Sequence, residues 1–174
     1  MSDARPRVLV IGYGNPGRLD DGLGPAFASA VERAELEGVS VDADYQLTVE
    51  DAAAAAEHDV VIFADAAVSG PEPLFFERIE PANQVTFSTH SVQPPSVLGL
   101  VRDMFESDTV GYALGIRGYE FNEFGERLSE RAASNLARAL EIFLPLIAER
   151  RFDQAERSFA RTPAHESHDA GEDA

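Results

Sequence analysis

Short apolar runs alternate along this chain with longer segments in which apolar residues recur every three or four positions. The short runs predict β-strands at Arg7–Ile11, Val39–Leu47, Asp59–Ala64, Leu74–Ile79, Gln84–Ser88 and Val110–Ile116. The longer segments predict helices at Gly22–Leu36, Val49–His58, Pro95–Phe105 and Gly125–Arg150. Strands that alternate with helices are typical of an α/β fold.

Two of the predicted strands are apolar at nearly every position. Val60-Val-Ile-Phe-Ala64 ends at Asp65, and Arg7–Ile11 has a similar composition. Continuous apolar runs of this length indicate central strands that are buried on both faces. The last predicted helix carries its large apolar residues on roughly one face, so we expect it to cover one side of the sheet.

Composition limits the domain count and the partners. The chain has 174 residues, of which 44% are hydrophobic, and this is enough for one domain with a well-filled core. Its 31 acidic and 14 basic residues give a net charge of −17, which disfavours nucleic acid and anionic membranes as partners. All basic residues are arginines, which excludes a Walker phosphate loop and Schiff-base chemistry.

The absence of cysteine excludes disulfides, thiolate metal sites and thiol nucleophiles. The N-terminus lacks the apolar stretch of a signal peptide, and no apolar run approaches the roughly 20 residues that span a bilayer. We therefore expect a soluble, cytoplasmic protein.

The composition changes near the C-terminus, where the chain becomes polar and acidic from about Phe152. This pattern predicts one domain over residues 1–151 and a disordered acidic tail over residues 152–174. His165 and His168 in this tail are interpreted as solvated polar residues rather than metal ligands.

A glycine-rich turn follows the first predicted strand. Gly12-x-Gly14-x-x-Gly17 satisfies the spacing of a dinucleotide-binding turn, in which a helix N-terminus binds a pyrophosphate. Asp20 and Asp21, however, stand where the phosphates would bind, and two carboxylates repel an anion. A cation suits this position better, and we expect one aspartate to cap the following helix while the other projects from it.

Three polar residues follow three predicted strands. Asp21 follows the first strand, Asp65 ends the buried run, and His90 comes after Gln84–Ser88. Because the carboxyl ends of parallel strands meet at one edge of a sheet, we expect these side chains to converge. Two carboxylates and one imidazole suit a borderline divalent metal such as nickel or zinc. The simpler alternatives are a turn or capping role for Asp65 and an ordinary loop histidine at position 90.

Other hydrolytic sites have little support in the sequence. It contains no His-Glu-x-x-His helix, no Gly-x-Ser-x-Gly elbow and no Asp-Thr-Gly or Asp-Ser-Gly motif. Ser91 adjoins His90, but neighbours in an extended segment point to opposite faces and rarely form a nucleophile–base pair.

Four blocks of this sequence together resemble the hydrogenase maturation endopeptidases, which process the large subunit of [NiFe] hydrogenases. They are Gly12-Tyr-Gly-Asn15, Asp20-Asp21-Gly-x-Gly24, Phe63-Ala-Asp65-Ala66 and His90, and the resemblance covers roughly residues 7–150. It implies a three-layer α/β/α sandwich around a mixed, mainly parallel, twisted sheet. It also implies that Asp21, Asp65 and His90 are both the metal ligands and the catalytic residues.

The same resemblance implies a reaction and a partner. The enzyme would recognise nickel already installed in the large-subunit precursor and remove its C-terminal extension, so nickel is presented by the substrate, and zinc or cadmium could occupy the same site in vitro. Many members carry Asp-Gly-Gly-Thr after the second strand, whereas this chain has Gln46-Leu47-Thr48, which resembles the branch that serves soluble bidirectional hydrogenases. We expect a monomer. The alternatives are a non-catalytic chaperone that holds a metal-loaded large subunit and, less favoured, a nucleotide-binding domain.

Overall fold

The computed structural model describes residues 4–83 and 92–161. In these residues, strands β1 to β5 form one sheet in the order β2-β1-β3-β5-β4. All neighbouring pairs are parallel except β4 and β5, which are antiparallel. The strands span Val8–Tyr13 (β1), Val39–Asp44 (β2), Val60–Ala67 (β3), Leu74–Ile79 (β4) and Val110–Arg117 (β5).

Helices cover both faces of this sheet. α1, α4 and α5 pack on one face and α2 and α3 on the other, so the molecule has the three-layer α/β/α arrangement that was expected. Alternate residues of β1 and β3 point into the two apolar layers, which explains why these strands are apolar throughout. The helices span Leu23–Arg33 (α1), Glu50–Ala56 (α2), Pro94–Phe105 (α3), Glu130–Ala148 (α4) and Phe152–Phe159 (α5).

The structure confirms the predicted strands β1 to β5 and helices α1 to α4, with shifts at their ends. β2 stops at Asp44 rather than Leu47, and α4 begins at Glu130 because Ser129 caps it, its hydroxyl accepting the N–H of Ala132 at 3.3 Å. The expected strand Gln84–Ser88 and His90 lie outside the described residues.

The prediction of a disordered tail from Phe152 onward is wrong for its first part. Phe152 is 5% exposed and stacks on Tyr112 with 5.7 Å between ring centroids, while Ala155 is also buried. These residues and Phe159 recur at helical spacing, so α5 is an amphipathic helix whose apolar side joins the core. The other residues of α5 are mostly polar, which explains why the composition alone suggested a disordered tail. Residues 162–174, with His165 and His168, lie outside the described residues.

Among residues 4–83 and 92–161, every helix is too short or too polar to cross a membrane.

Candidate active site

A glycine-rich turn and a short 3-10 helix, Leu19–Gly22, connect β1 to α1 and carry the two aspartates. Gly14 has φ +138°, a conformation that residues with a Cβ rarely adopt. A Cβ at this position would also collide with the backbone carbonyl of Asp21. Glycine is therefore required here both for the turn itself and for the close approach of Asp21.

The backbone N–H groups of this turn are all used within the chain. Every N–H from Gly14 to Asp21 donates a hydrogen bond of 2.8 to 3.2 Å, except at Pro16, which has none. Four of these bonds stay within the turn: Asn15 donates to Asp21 Oδ2, Gly17 to Asn15 Oδ1, Arg18 to Asn15 O, and Asp21 to Arg18 O. The other three reach outside it: Gly14 donates to Asp44 O, Leu19 to Gly125 O, and Asp20 to Glu120 O. A dinucleotide-binding turn needs such groups for its pyrophosphate, and this turn has none to offer.

Asp20 is fully buried and does not cap α1, so the expected capping role is wrong. Its carboxylate instead accepts the N–H groups of Tyr119 (2.8 Å), Glu120 (2.9 Å) and Ser129 (2.7 Å), together with the Ser129 hydroxyl (2.7 Å). Burial raises the pKa of Asp20, but these hydrogen bonds outweigh it and hold the pKa below its ordinary value. Asp20 therefore remains ionised and fixes the turn to the segment that precedes α4.

Asp21, unlike Asp20, has a carboxylate that remains accessible to a ligand. Its side chain is partly exposed, and its Oδ2 accepts the N–H of Asn15 at 2.8 Å. This hydrogen bond within the turn holds the carboxylate at the edge of the sheet, beyond the end of β1.

Asp65 lies near the end of β3, beyond the point where β1 stops pairing with it. β1 pairs with β3 as far as Ala64, whereas β5 continues to pair as far as Ala67. The Asp65 carboxylate accepts the N–H of Ala66 at 2.8 Å, and the hydroxyl of Tyr13 lies beside it as a hydrogen-bond donor.

Burial, together with a smaller effect of the negative charge of Asp21, raises the pKa of Asp65 to about 6, although the hydrogen bonds from the Ala66 N–H and the Tyr13 hydroxyl oppose this rise. Burial and the charge of Asp65 likewise raise the pKa of Tyr13, so its phenol stays protonated. Because β1 and β3 are adjacent parallel strands, Asp21 and Asp65 lie at the same edge of the sheet, as predicted from their positions after these strands, and the charge of Asp21 acts on Asp65. A carboxyl group with a pKa near 6 can exchange a proton close to neutral pH or release it to an incoming cation.

Two carboxylates do not by themselves complete a metal site. Within residues 4–83 and 92–161, no group of three or more His, Cys, Asp or Glu side chains is arranged to hold a metal ion. The third predicted ligand, His90, is outside this part of the chain, so the three-residue set stays a prediction.

Comparison with solved structures identifies the fold. HycI from Thermococcus kodakarensis KOD1, a [NiFe] hydrogenase maturation protease, matches 84% of this chain and 93% of its own with a TM-score of 0.61 and 23% identity. The hydrogenase maturating endopeptidase HybD from E. coli matches 83% and 93% with a TM-score of 0.64 and 23% identity. The endopeptidase HycI from Escherichia coli matches 91% and 98% with a TM-score of 0.65 and 18% identity. This chain has the fold of the hydrogenase maturation proteases.

No protein-family model and no curated protein matches the sequence significantly. The maturation-protease fold is thus recognised from the structure at identities below 25%.

Two side chains that the sequence analysis did not identify, Tyr13 and Ser129, also contribute to the candidate site. Tyr13 stands in the Gly12-x-Gly14 block, two positions after Ile11, so strand alternation places its side chain on the same face. That alternation could have identified Tyr13 as a neighbour of Asp65. Ser129 also contributes, by binding Asp20, but no local signal in the sequence connects residues that are this far apart.

Proposed function

We propose that this protein is an endopeptidase that recognises nickel in the precursor of a [NiFe]-hydrogenase large subunit and removes its C-terminal extension in the cytoplasm. The observation that carries this proposal is that Asp21 and Asp65 lie at the carboxyl ends of the adjacent parallel strands β1 and β3, where the charge of Asp21 contributes to the raised pKa of Asp65. The shared fold of solved maturation proteases supports the reaction class.

The proposed mechanism assigns a role to each side chain. Asp21, Asp65 and His90 bind the nickel that the precursor carries, and this orients the scissile peptide beside them. Nickel bound there supplies Lewis-acid polarisation of the scissile carbonyl. The free oxygen of the Asp65 carboxylate would accept a proton from the attacking water as a general base and return it to the leaving amine when the peptide C–N bond breaks, and the Tyr13 hydroxyl would hold this carboxylate in position.

The structure disfavours a nucleotide-binding domain, since the turn from Gly14 to Asp21 has no backbone N–H left for a phosphate. The non-catalytic chaperone would use the same carboxylates, and only turnover distinguishes it from a protease.

The test is a mass-spectrometric cleavage assay on a nickel-loaded large-subunit precursor. We expect wild type to remove a C-terminal peptide in the presence of nickel, and the rate to fall at least 100-fold in Asp21→Asn, Asp65→Asn and His90→Ala. Asp103→Asn is the matched control, because this exposed aspartate is paired with Arg102 on α3 and lies outside the site. Nickel-dependent binding of the precursor without any mass loss would favour the chaperone and overturn the protease.

A further inference from the structure

The ring of Phe124 projects into solvent from the loop between β5 and α4. This side chain is 88% exposed, a higher fraction than that of any other large apolar residue in the described part of the chain. A ring with so little cover gains almost nothing from burial in its own domain, so packing of the core does not explain it.

The exposed apolar residues are concentrated near the candidate active site. Single exposed apolar side chains are common on protein surfaces, but a group of them marks an interaction site. Within residues 4–83 and 92–161, six large apolar side chains are exposed, and four of them follow strands at the edge of the sheet that carries Asp21. These four are Tyr45 and Val49 after β2, Val68 after β3 and Phe124 after β5.

The backbone next to Phe124 is fixed to the glycine-rich turn. The N–H of Gly125 donates to Gly17 O at 2.8 Å, and the N–H of Leu19 donates to Gly125 O at 3.0 Å. The N–H of Asp21 in turn donates to Arg18 O at 3.2 Å. Phe124 is therefore presented at a set position relative to Asp21, and its loop loses little conformational freedom when a partner binds.

A positive charge accompanies the ring. The guanidinium of Arg18 lies over Phe124, 5.8 Å from the ring centroid. No carboxylate of residues 4–83 and 92–161 pairs with Arg18, whereas Arg127 in the same loop as Phe124 pairs with Glu120 at 3.7 Å. Aromatic and arginine side chains are the residues enriched in protein interfaces. The pair favours a partner surface that has an apolar pocket beside a carboxylate.

The shape of this feature indicates a macromolecule. Small molecules bind in concave sites, whereas a projecting ring can be buried only by a partner that encloses it. Asp65 lies two residues after Phe63 and so faces the layer of α2 and α3, while the loop with Phe124 leads into α4 in the opposite layer. A partner that contacts both sides extends across the edge of the sheet, which a folded surface does and a single extended segment does not.

We propose that Phe124, backed by Arg18, anchors the folded body of the hydrogenase large-subunit precursor at a place separate from the peptide that is cleaved. This inference rests on the proposed endopeptidase function. It assigns Phe124 a role in binding and none in the chemical step.

A comparison of KM with kcat tests the anchor. On the folded, nickel-loaded precursor, Phe124→Ala raises KM about tenfold or more and changes kcat by less than about threefold. Phe124→Tyr, which keeps the ring, stays within about threefold of wild type in both. Arg18→Gln raises KM about 3- to 10-fold, and adding it to Phe124→Ala causes little further loss, because the two side chains act as a pair.

The matched control is Phe105→Ala. Phe105 is also an exposed phenylalanine, but it ends α3, close to the start of β5 and therefore at the opposite edge of the sheet. Its truncation leaves KM and kcat unchanged. Equal KM values in wild type, Phe124→Ala and Phe105→Ala would overturn the anchor.

A binding measurement separates failure of the anchor from failure of the proposed function. The probe is the folded nickel-free precursor, since the anchor contact does not involve nickel and the proposed enzyme does not cleave this form. Biolayer interferometry should give a Kd that rises about tenfold or more in Phe124→Ala and not in Phe105→Ala. That result without cleavage of the nickel-loaded precursor would support the anchor and overturn the protease. Cleavage with the same Kd and KM in both variants would support the protease and overturn the anchor.

The competing occupant is a second copy of this chain. Sedimentation velocity of the protein alone detects it. A dimer that Phe124→Ala dissociates, combined with unchanged precursor binding by that variant, would assign the ring to self-association and overturn the anchor.

Discussion

The Asp20 carboxylate accepts both the backbone N–H and the hydroxyl of Ser129, each at 2.7 Å, across a separation of 109 residues. Ser129 is also the N-cap of α4, so a single buried charge connects the turn that carries Asp21 to the start of the longest described helix. The position of the candidate site thus depends on a contact that is distant in sequence.

Asp20→Asn should destabilise the protein by roughly 2–4 kcal/mol, because an amide would turn one of its own donors towards buried N–H groups. Urea unfolding at pH 7 measures this loss. The exposed Asp103→Asn should stay within about 0.5 kcal/mol of wild type. A loss of similar size in both variants would contradict the structural role of Asp20.

The same carboxylate should make stability depend on pH in the acid range. Its pKa is lower in the folded state than in the unfolded chain, so its contribution is fully present above the unfolded value of about 4 and disappears as pH falls through the folded value. Unfolding free energies between pH 5 and pH 2 should therefore fall less steeply in Asp20→Asn than in wild type. Parallel curves would show that another group is responsible.

Asp65→Asn should abolish cleavage and yet stabilise the protein free of metal. The folded pKa of Asp65 is raised to about 6, so its ionised form costs stability above pH 6 and costs none below about pH 4, where both states are protonated. We expect a gain of roughly 1–3 kcal/mol at pH 8 that vanishes at pH 4. Urea unfolding with chelator at both pH values checks this, and a gain that is equal at both would rule out the ionised carboxylate as its cause.

Gly14→Ala and Gly70→Ala form a matched pair, because both glycines have positive φ. Nothing lies within 4 Å of a Cβ built on Gly70, whereas a Cβ on Gly14 meets the Asp21 carbonyl. Gly70→Ala should cost about 1 kcal/mol, from backbone strain alone, and Gly14→Ala at least about 3 kcal/mol, together with cleavage activity. Thermal unfolding compares the two variants. Similar decreases in Tm would mean that the close approach of the Asp21 carbonyl to Gly14 is not required.

Phe152→Ala tests whether α5 belongs to the domain. A buried phenylalanine that stacks on Tyr112 should cost about 3–5 kcal/mol on truncation, whereas the exposed Gln154→Ala on the same helix should change stability by less than about 0.5 kcal/mol. Denaturant unfolding of both variants makes the comparison. A Phe152→Ala protein as stable as wild type would restore the boundary after residue 151.

The sequence alone could predict most of the sheet because β1 and β3 are buried on both faces, and burial leaves a continuous apolar signal. It also predicted that Asp21 and Asp65 meet, since parallel strands bring their carboxyl ends together. It could not predict the role of Asp20, whose partners lie about a hundred residues away, nor α5, whose polar side dominates its composition. Long-range hydrogen bonds and narrow apolar helix faces produce almost no recognisable pattern in the local sequence.

The saturated hydrogen bonds of the Gly14–Asp21 turn also bear on the kinetics of recognition. Because the turn satisfies its own donors, its shape is set during folding, and an arriving cation does not have to order it. Under the proposed function, binding of a metal-bearing partner would therefore not pay the entropy of ordering this loop, and we expect its rate to be limited by encounter and orientation rather than by rearrangement of the turn.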